Sequence, residues 1–546
     1  MKHFIVFCFF SLLCFNVAEA QTNANIAGPE NVLVVYNANS DTSIMVKNYY
    51  INARNIPASN TVGLYLPDTT ITVNGVTHPV IIAENGNIIR DSLGHEWGSW
   101  FVTQHAWKYY YQYVAEPIKQ HLINNNLVGT IKYIALVKGV PFKIQAGGDL
   151  SHVIGNLAVD GLLCMLNTNN YDILLDSIYN KFRRYALPDP YYDPGYYNCM
   201  QEITNPYFDA DPNLNMNNRF KPGVFTRNWN GHTIKLDYLV SHLDGINYNM
   251  VKGIIDLSSE AIHSDNYDWF IDADPDPCRG GDIMVRFANS TGSKLNSIGF
   301  SNYSFDVTED TVTYHYKPVM SYSSNGVHTT LGPYHYPNCQ NYAFSPDYIQ
   351  TSLNFNYKPG AIFNTAESFN AHLLSSISRR PGAEMGQLVE FFLKGGTLAV
   401  GHGYEPFTSG IIRDSIMFPS YQVGYSFIDA AYMGMNYLAW QNVVVGDPLT
   451  TIAWGKQSLT SNLIWSGTNL VTGEITVPLS LTISLERGSV IKFRHNGFIS
   501  GDGFVESIED DFTLDIQDWD RSVLRSSEDN HPKLILGRVS RSIPNS

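Results

Sequence analysis

The stretch that decides the fold is GYSFIDAAYMGMNYLAWQNVVVGDPL, residues 424–449. Ser426 stands where a helix N-cap belongs, and Asp429 three residues on completes a capping box. Val443-Val444-Val445 is a continuous β-branched run, as a strand covered on both faces requires. Gly446-Asp447-Pro448 then stops it. A capped helix, a loop, a buried strand and a sharp turn make one unit of an α/β layer structure.

Similar units recur outward from this one. Residues 31–36 (NVLVVY) read as a short buried strand, followed by a helix with Asp41 as N-cap and Ile44, Asn48 and Ile51 on one face. Residues 62–66 form a second strand. Val114, Ile118 and Leu122 lie on one face of a helix around Pro117, which either kinks it or sits in its first turn. Residues 131–137 are the next buried strand, ending at Lys138-Gly139. Further on, residues 318–322 and 361–365 are strands. Met385, Leu388, Val389, Phe392 and Leu393 mark a helix ended by Gly395-Gly396, and residues 397–400 are a strand. This alternation predicts a mostly parallel, doubly wound α/β sheet with helices on both faces. Residues 145–225, rich in Asn, Asp, Tyr and Pro, read as long surface loops or an insertion.

Near Gly455 the period changes to two. Leu470, Ile475, Val477, Leu479, Leu481, Ile483, Val490, Ile491 and Phe493 alternate, with turns at Gly473, Gly488 and Asn496-Gly497. Residues 456–546 are therefore expected to form a small all-β C-terminal module, charged and weakly patterned from about Glu506 onward.

At the N-terminus, Lys2 and His3 precede an apolar run over residues 4–17 and a small-x-small motif, Ala18-Glu19-Ala20. That pattern predicts a signal peptide over residues 1–20, an α/β domain over 21–455, and a secreted, periplasmic or cell-surface location in a bacterium. Cys14 raises a lipoprotein alternative, against which stands the large Leu13 before it. No later stretch has the apolar length to span a bilayer. The net charge is −15, which disfavours nucleic acid and anionic membrane as partners. Cys164, Cys199, Cys278 and Cys339 remain after cleavage, with no CxxC pair, which argues against structural zinc. One or two disulfides and four reduced thiols both stay open.

Several segments together resemble a family of secreted bacterial proteins of unknown function: residues 31–36, Tyr49-Tyr50 with Arg54-Asn55-Ile56-Pro57, residues 132–141 (KYIALVKGVP), residues 238–245 (YLVSHLDG), Tyr404-Glu405-Pro406 and residues 442–449. The resemblance spans about residues 30–450. The layout is also remotely similar to gingipain-type cysteine peptidases, which implies a caspase-like sheet. Such peptidases place a His-Gly after one strand and a Cys after the next, at the carboxyl edge of the sheet. The corresponding positions here are Asn325, in Ser324-Asn325-Gly326, and Glu367-Ser368. An amide cannot accept a thiol proton. The resemblance therefore implies a degenerate dyad, a pseudoenzyme acting as a binding or surface scaffold for a protein, peptide or glycan. The segment from Gly473 to Phe493 is similar to the opening coils of secreted parallel β-helices, with room for one or two coils.

Two alternatives remain. His402, in Gly401-His402-Gly403, with Glu405 and Ser368, would form a Ser/His/Glu hydrolase set (peptidase or esterase), although the nucleophile-elbow motif is missing. His328 reads as a loop histidine. A carbohydrate-binding surface protein is the other alternative, with Trp97, Trp100 and Trp107 lining a groove. No cofactor is implied. Asp272, Asp274, Asp276 and Asp282 alternate as Ca²⁺ ligands would, but Pro277 and Ile283 break the EF-hand pattern. A solvated acidic loop is the plainer reading, and Asp447 reads as a turn residue accepting backbone hydrogen bonds.

Overall fold

The computed structural model describes residues 27–91, 104–146, 157–184, 203–214, 216, 218–264, 266–273, 281–308, 312–326, 347–377, 386–459, 461–493, 497–507, 512–516, 533–535 and 540–541. Its centre is a ten-stranded sheet built from β1 (Val32–Asn37), β2 (Thr61–Leu64), β3 (Tyr133–Val137), β4 (Leu239–Leu243), β5 (Trp269–Asp272), β6 (Tyr303–Asp306), β7 (Val319–Ser324), β8 (Tyr357–Thr365), β9 (Leu398–His402) and β10 (Asn442–Val445). The spatial order is β6-β5-β7-β8-β9-β10-β4-β3-β1-β2. Every ladder is parallel except β9–β10, which runs antiparallel from Ala399↔Val445 to His402↔Asn442.

The sheet is thus two parallel five-stranded halves joined along one antiparallel ladder. Both halves wind alike: β2-β1-β3-β4-β10 in the first and β6-β5-β7-β8-β9 in the second. Their carboxyl ends consequently lie on opposite edges of the sheet.

Alternation along the strands explains the layers. Val444 belongs to one apolar core, Val443 and Val445 to another. Ile362, Leu398 and Val400 side with the first, Ala361, Phe363 and Ala399 with the second. Successive side chains point to opposite faces, so each strand feeds both cores and both must be covered. Helices α1 (Asp41–Ala53), α2 (Glu116–Asn124), α3 (Tyr248–Ser259), α4 (Gly281–Ser297), α5 (Leu388–Leu393), α6 (Asp414–Gln422) and α7 (Phe427–Gly434) do much of this covering. Ser426 caps α7, accepting from Asp429 N at 3.4 Å. Among the described residues no helix is long and apolar enough to cross a membrane.

Some expectations need correction. The cap of α1 is Ser40, which accepts from Ser43 N at 3.3 Å, and Asp41 sits in the first turn. A one-residue shift rotates a helix by about 100°, and the buried face is accordingly Ser43, Val46 and Tyr50. Pro117, by contrast, sits in the first turn of α2, one of the two placements expected. A π-helical turn, Tyr111–Ala115, comes just before it and absorbs the backbone mismatch that a helical proline creates. Within residues 145–225, helices Asp160–Cys164 and Tyr171–Arg184 place Leu162, Leu163, Leu174 and Ile178 in the core, so this region is not only surface loop.

From Gln457 on, the chain circulates among three small parallel sheets. Gln457–Ser458, Glu474–Thr476 and Phe498–Ser500 form one. Leu463–Trp465, Thr482–Leu485, Phe504–Ser507 and Lys533–Ile535 form the second. Thr468–Val471, Ser489–Phe493, Phe512–Ile516 and Ser540–Arg541 form the third. Each circuit lays a strand on the one before, giving three full circuits and strands of a fourth, more than the one or two expected. Trp465, Ile475, Ile483, Leu485, Ile491 and Ile499 fill the interior. Leu479, expected inside, is 70% exposed just beyond Pro478, outside the strands.

Candidate functional site

The carboxyl edge of the second half gathers the residues singled out in the sequence. Ser324 pairs with Thr365, so the segments leaving β7 and β8 are neighbours. Asn325 is buried at 2% exposure, and Gly326 follows at φ +94°. A Cβ on Gly326 would lie 1.8 Å from Glu367 Cγ, so only glycine leaves room for the glutamate. Glu367 is itself buried and accepts from Thr365 Oγ1 at 3.1 Å and Gly386 N at 3.3 Å. An amide, Asn325, and a carboxylate, Glu367, therefore stand at neighbouring strand ends, with the turn glycine of the first packed against the second.

His402 ends β9. Its backbone N–H donates to Asn370 Oδ1 at 2.6 Å, and its ring Nδ1 lies 2.8 Å from Glu367 O. A carbonyl only accepts, so Nδ1 carries the proton and the lone pair is on Nε2. Nε2 is buried and has no hydrogen-bond partner among the described residues. Burial pushes the imidazole down to about 4, so it is neutral at neutral pH. Ser368 Oγ donates to Glu405 Oε2 at 2.5 Å, and both residues are partly exposed. Glu405 Oε1 accepts from Phe407 N at 3.1 Å. The structure thus brings Ser368 and Glu405 together and leaves His402 bonded elsewhere. A carboxylate alone is a poor base for a hydroxyl, so this pair lacks the imidazole relay of an activated serine.

Sequence reasoning missed a third group at this edge. Asp414, the first residue of α6, is buried between the ends of β7 and β8. Asn364 Nδ2 donates to its Oδ1 at 2.6 Å, and Ser323 Oγ bonds its Oδ2. Burial raises this carboxyl to about 7, against the pull of those two hydrogen bonds. The available signal was an acid at a helix start, separated only by Arg413 from the apolar pair Ile411-Ile412. His242, inside the quoted YLVSHLDG, was also passed over. Its Nε2 lies 2.6 Å from Asp160 Oδ1, with both side chains 1% exposed.

The first half closes its carboxyl edge with charge. Lys138 Nζ reaches Asp244 Oδ1 at 3.1 Å and Gly245 O at 2.6 Å. Asp447 accepts from Tyr50 OH at 2.8 Å, Arg54 Nε at 2.5 Å and Leu449 N at 2.9 Å. Its role is to bind α1 to the turn after β10.

The remaining candidates fall elsewhere. Asp272 ends β5. Asp274 and Asp276 lie outside the described residues, and Asp282 is in the first turn of α4. Among the described residues no group of three His, Cys, Asp or Glu could hold a metal ion. Cys164 is a free thiol, buried, donating to Tyr432 OH at 3.3 Å, and burial pushes it up. Cys199, Cys278, Cys339, His328, Trp97 and Trp100 lie outside the described residues, while Trp107 is only 2% exposed and packs in the core rather than in an open groove. Compared with known proteins, the chain matches no family model, no curated protein and no solved structure.

Proposed function

We propose that this chain is an exported bacterial protein whose α/β part is a degenerate, caspase-like relative of gingipain-type peptidases. In this reading it serves as a non-catalytic binding or surface scaffold, and the C-terminal strands are a short parallel β-helix appendage. The observation that carries the reading is His402. This imidazole is fully buried, bonded to a main-chain carbonyl, and not hydrogen-bonded to Ser368 or Glu405. Acid–base chemistry needs an imidazole within hydrogen-bond reach of the group it serves. The repeated winding of the two halves and the glycine that makes way for Glu367 add support.

The test is a turnover screen of the mature protein on fluorogenic peptides, esters and glycans, run beside Ser368→Ala and His402→Ala. The expected result is no turnover above buffer in any of the three. Turnover in the parent that disappears in either variant would overturn the scaffold reading in favour of a hydrolase.

A further inference from the structure

We propose that the cleft between the α/β region and the first circuits of the coil binds a small organic anion, a phosphate or carboxylate carrying an apolar arm. The chain is acidic overall, at −15, yet a cavity of about 350 Å³ there is lined by Lys132, Arg219, Lys221 and Lys456 against a single carboxylate, Glu474. Three distant segments supply these cations, so no basic run is visible in the sequence. A second cavity of about 350 Å³ shares Met216, Lys456 and Glu474 with the first. Its other walls include Leu214, Ile298, Phe300, Val423 and Phe498. The two together offer a charged end and an apolar end, at the size of small-molecule sites.

Arg219, Lys221 and Lys456 form no ion pair with a described acid. Arg219 Nη2 donates to Lys456 O and lies 3.7 Å from Met216 Sδ, while its buried Nε has no hydrogen-bond partner among the described residues. Asp429, the carboxylate that acts on both Lys132 and Arg219, is already occupied by the hydroxyls of Tyr133, Tyr207 and Ser426 and by Phe220 N. Burial pushes both Lys132 and Arg219 below their ordinary values. For Lys132 the nearby Asp429 and Glu30 pull the other way, and Arg219 and Lys221 add to the push. Half-desolvated like charges facing one space are a cost that a bound anion removes.

The walls are fixed by close backbone approach. A Cβ on Gly455 would lie 2.0 Å from Met216 Sδ, and one on Gly473 would lie 2.4 Å from Lys456 N. Thr472 Oγ1 also donates to Val423 O at 3.2 Å. The site uses residues of neither carboxyl edge, so it stands apart from the scaffold reading.

The experiment is calorimetric titration of the full mature chain with phenyl phosphate, phenylacetate and inorganic phosphate, and with phenol as the neutral control. Saturable binding is expected for at least one aromatic anion, tighter than for inorganic phosphate, with phenol silent. Binding should weaken as salt rises. Lys221 and Lys456 are exposed, so the double variant Lys221→Gln/Lys456→Gln should keep the parent melting temperature and bind roughly tenfold more weakly. A preference for phenyl phosphate over phenylacetate, or the reverse, identifies the head group. The proposal falls if neither aromatic anion binds saturably, or if the double variant binds as well as the parent.

Discussion

The two halves of the sheet wind alike and end differently. The first half finishes on full charges in matched pairs, Lys138 with Asp244 and Arg54 with Asp447, the latter with both side chains at 1% exposure or less. The second finishes on hydrogen bonds: the Asn325 turn, the Glu367 carboxyl bonded by Thr365 and Gly386, the Asp414 carboxyl held by Ser323 and Asn364, and an imidazole kept uncharged by burial. Ion pairs fix chain geometry but leave little free bonding capacity. Neutral polar groups at strand ends keep such capacity, at the cost of buried atoms such as His402 Nε2 that find no partner among the described residues. Topology alone therefore does not tell which edge is structural. The charge state of the residues at the strand ends does.

The contrast breaks most easily at Arg54. Arg54→Ala leaves Asp447 a buried carboxylate with only Tyr50 OH and the turn backbone, and should cost about 3–5 kcal/mol in urea unfolding. Arg54 Nη1 and Nη2 are themselves buried without partners among the described residues, so the pair is incompletely satisfied. Arg54→Met combined with Asp447→Asn should thus recover much of the loss. A cost under about 1 kcal/mol for the single change would mean that the first edge is not held by charge.

At the second edge the corresponding handle is pH, and two groups pull in opposite directions. Asp414 is raised to about 7 in the folded protein. Its contribution is complete below the unfolded carboxyl value and is lost as pH rises through 7, on the order of 4 kcal/mol in all. Asp414→Asn should therefore be more stable than the parent at pH 8. His402 is lowered to about 4. Its neutral form binds fewer protons than the unfolded chain between pH 6.5 and 4, so stability falls on acidification across that window, on the order of 3 kcal/mol. The two windows overlap between pH 4 and 6.5 and nearly cancel in the parent, so His402→Asn should unmask a fall in stability with rising pH there, and Asp414→Asn a rise. Unfolding free energies measured at half-unit pH steps decide both. A parent profile flat from pH 4 to 8 with unchanged variants would erase the difference between the edges.

How much of this was legible follows from what is local. The strand of residues 442–445, the Ser426 cap and the α/β alternation rest on neighbours in sequence, and they were readable. The antiparallel β9–β10 ladder was not, because no local signal sets which strand ends beside which. The turn at Gly326 was placed correctly, but the reason for its glycine is a Glu367 side chain arriving from the next strand. His402, Glu405 and Ser368 were grouped by their common edge. What separates them is a hydrogen bond to a main-chain carbonyl, which residue type cannot announce. The cations at Lys132, Arg219 and Lys456 meet only after the chain has folded and the coil has docked.

The smallest expected effect belongs to Ser368 and Glu405. Their hydrogen bond is short, at 2.5 Å, but both side chains are partly exposed and water can replace either partner. Ser368→Ala should cost about 1 kcal/mol, well below Arg54→Ala. A double-mutant cycle with Glu405→Gln should give a coupling of about the same size, since the pair stands apart from the buried bonds of His402 and Asn370. A coupling near 3 kcal/mol or more, measured by urea unfolding at pH 7, would join Ser368 to a closed network. The second edge would then be as tightly sealed as the first, and the difference between the halves would lie only in the sign of the charges they bury.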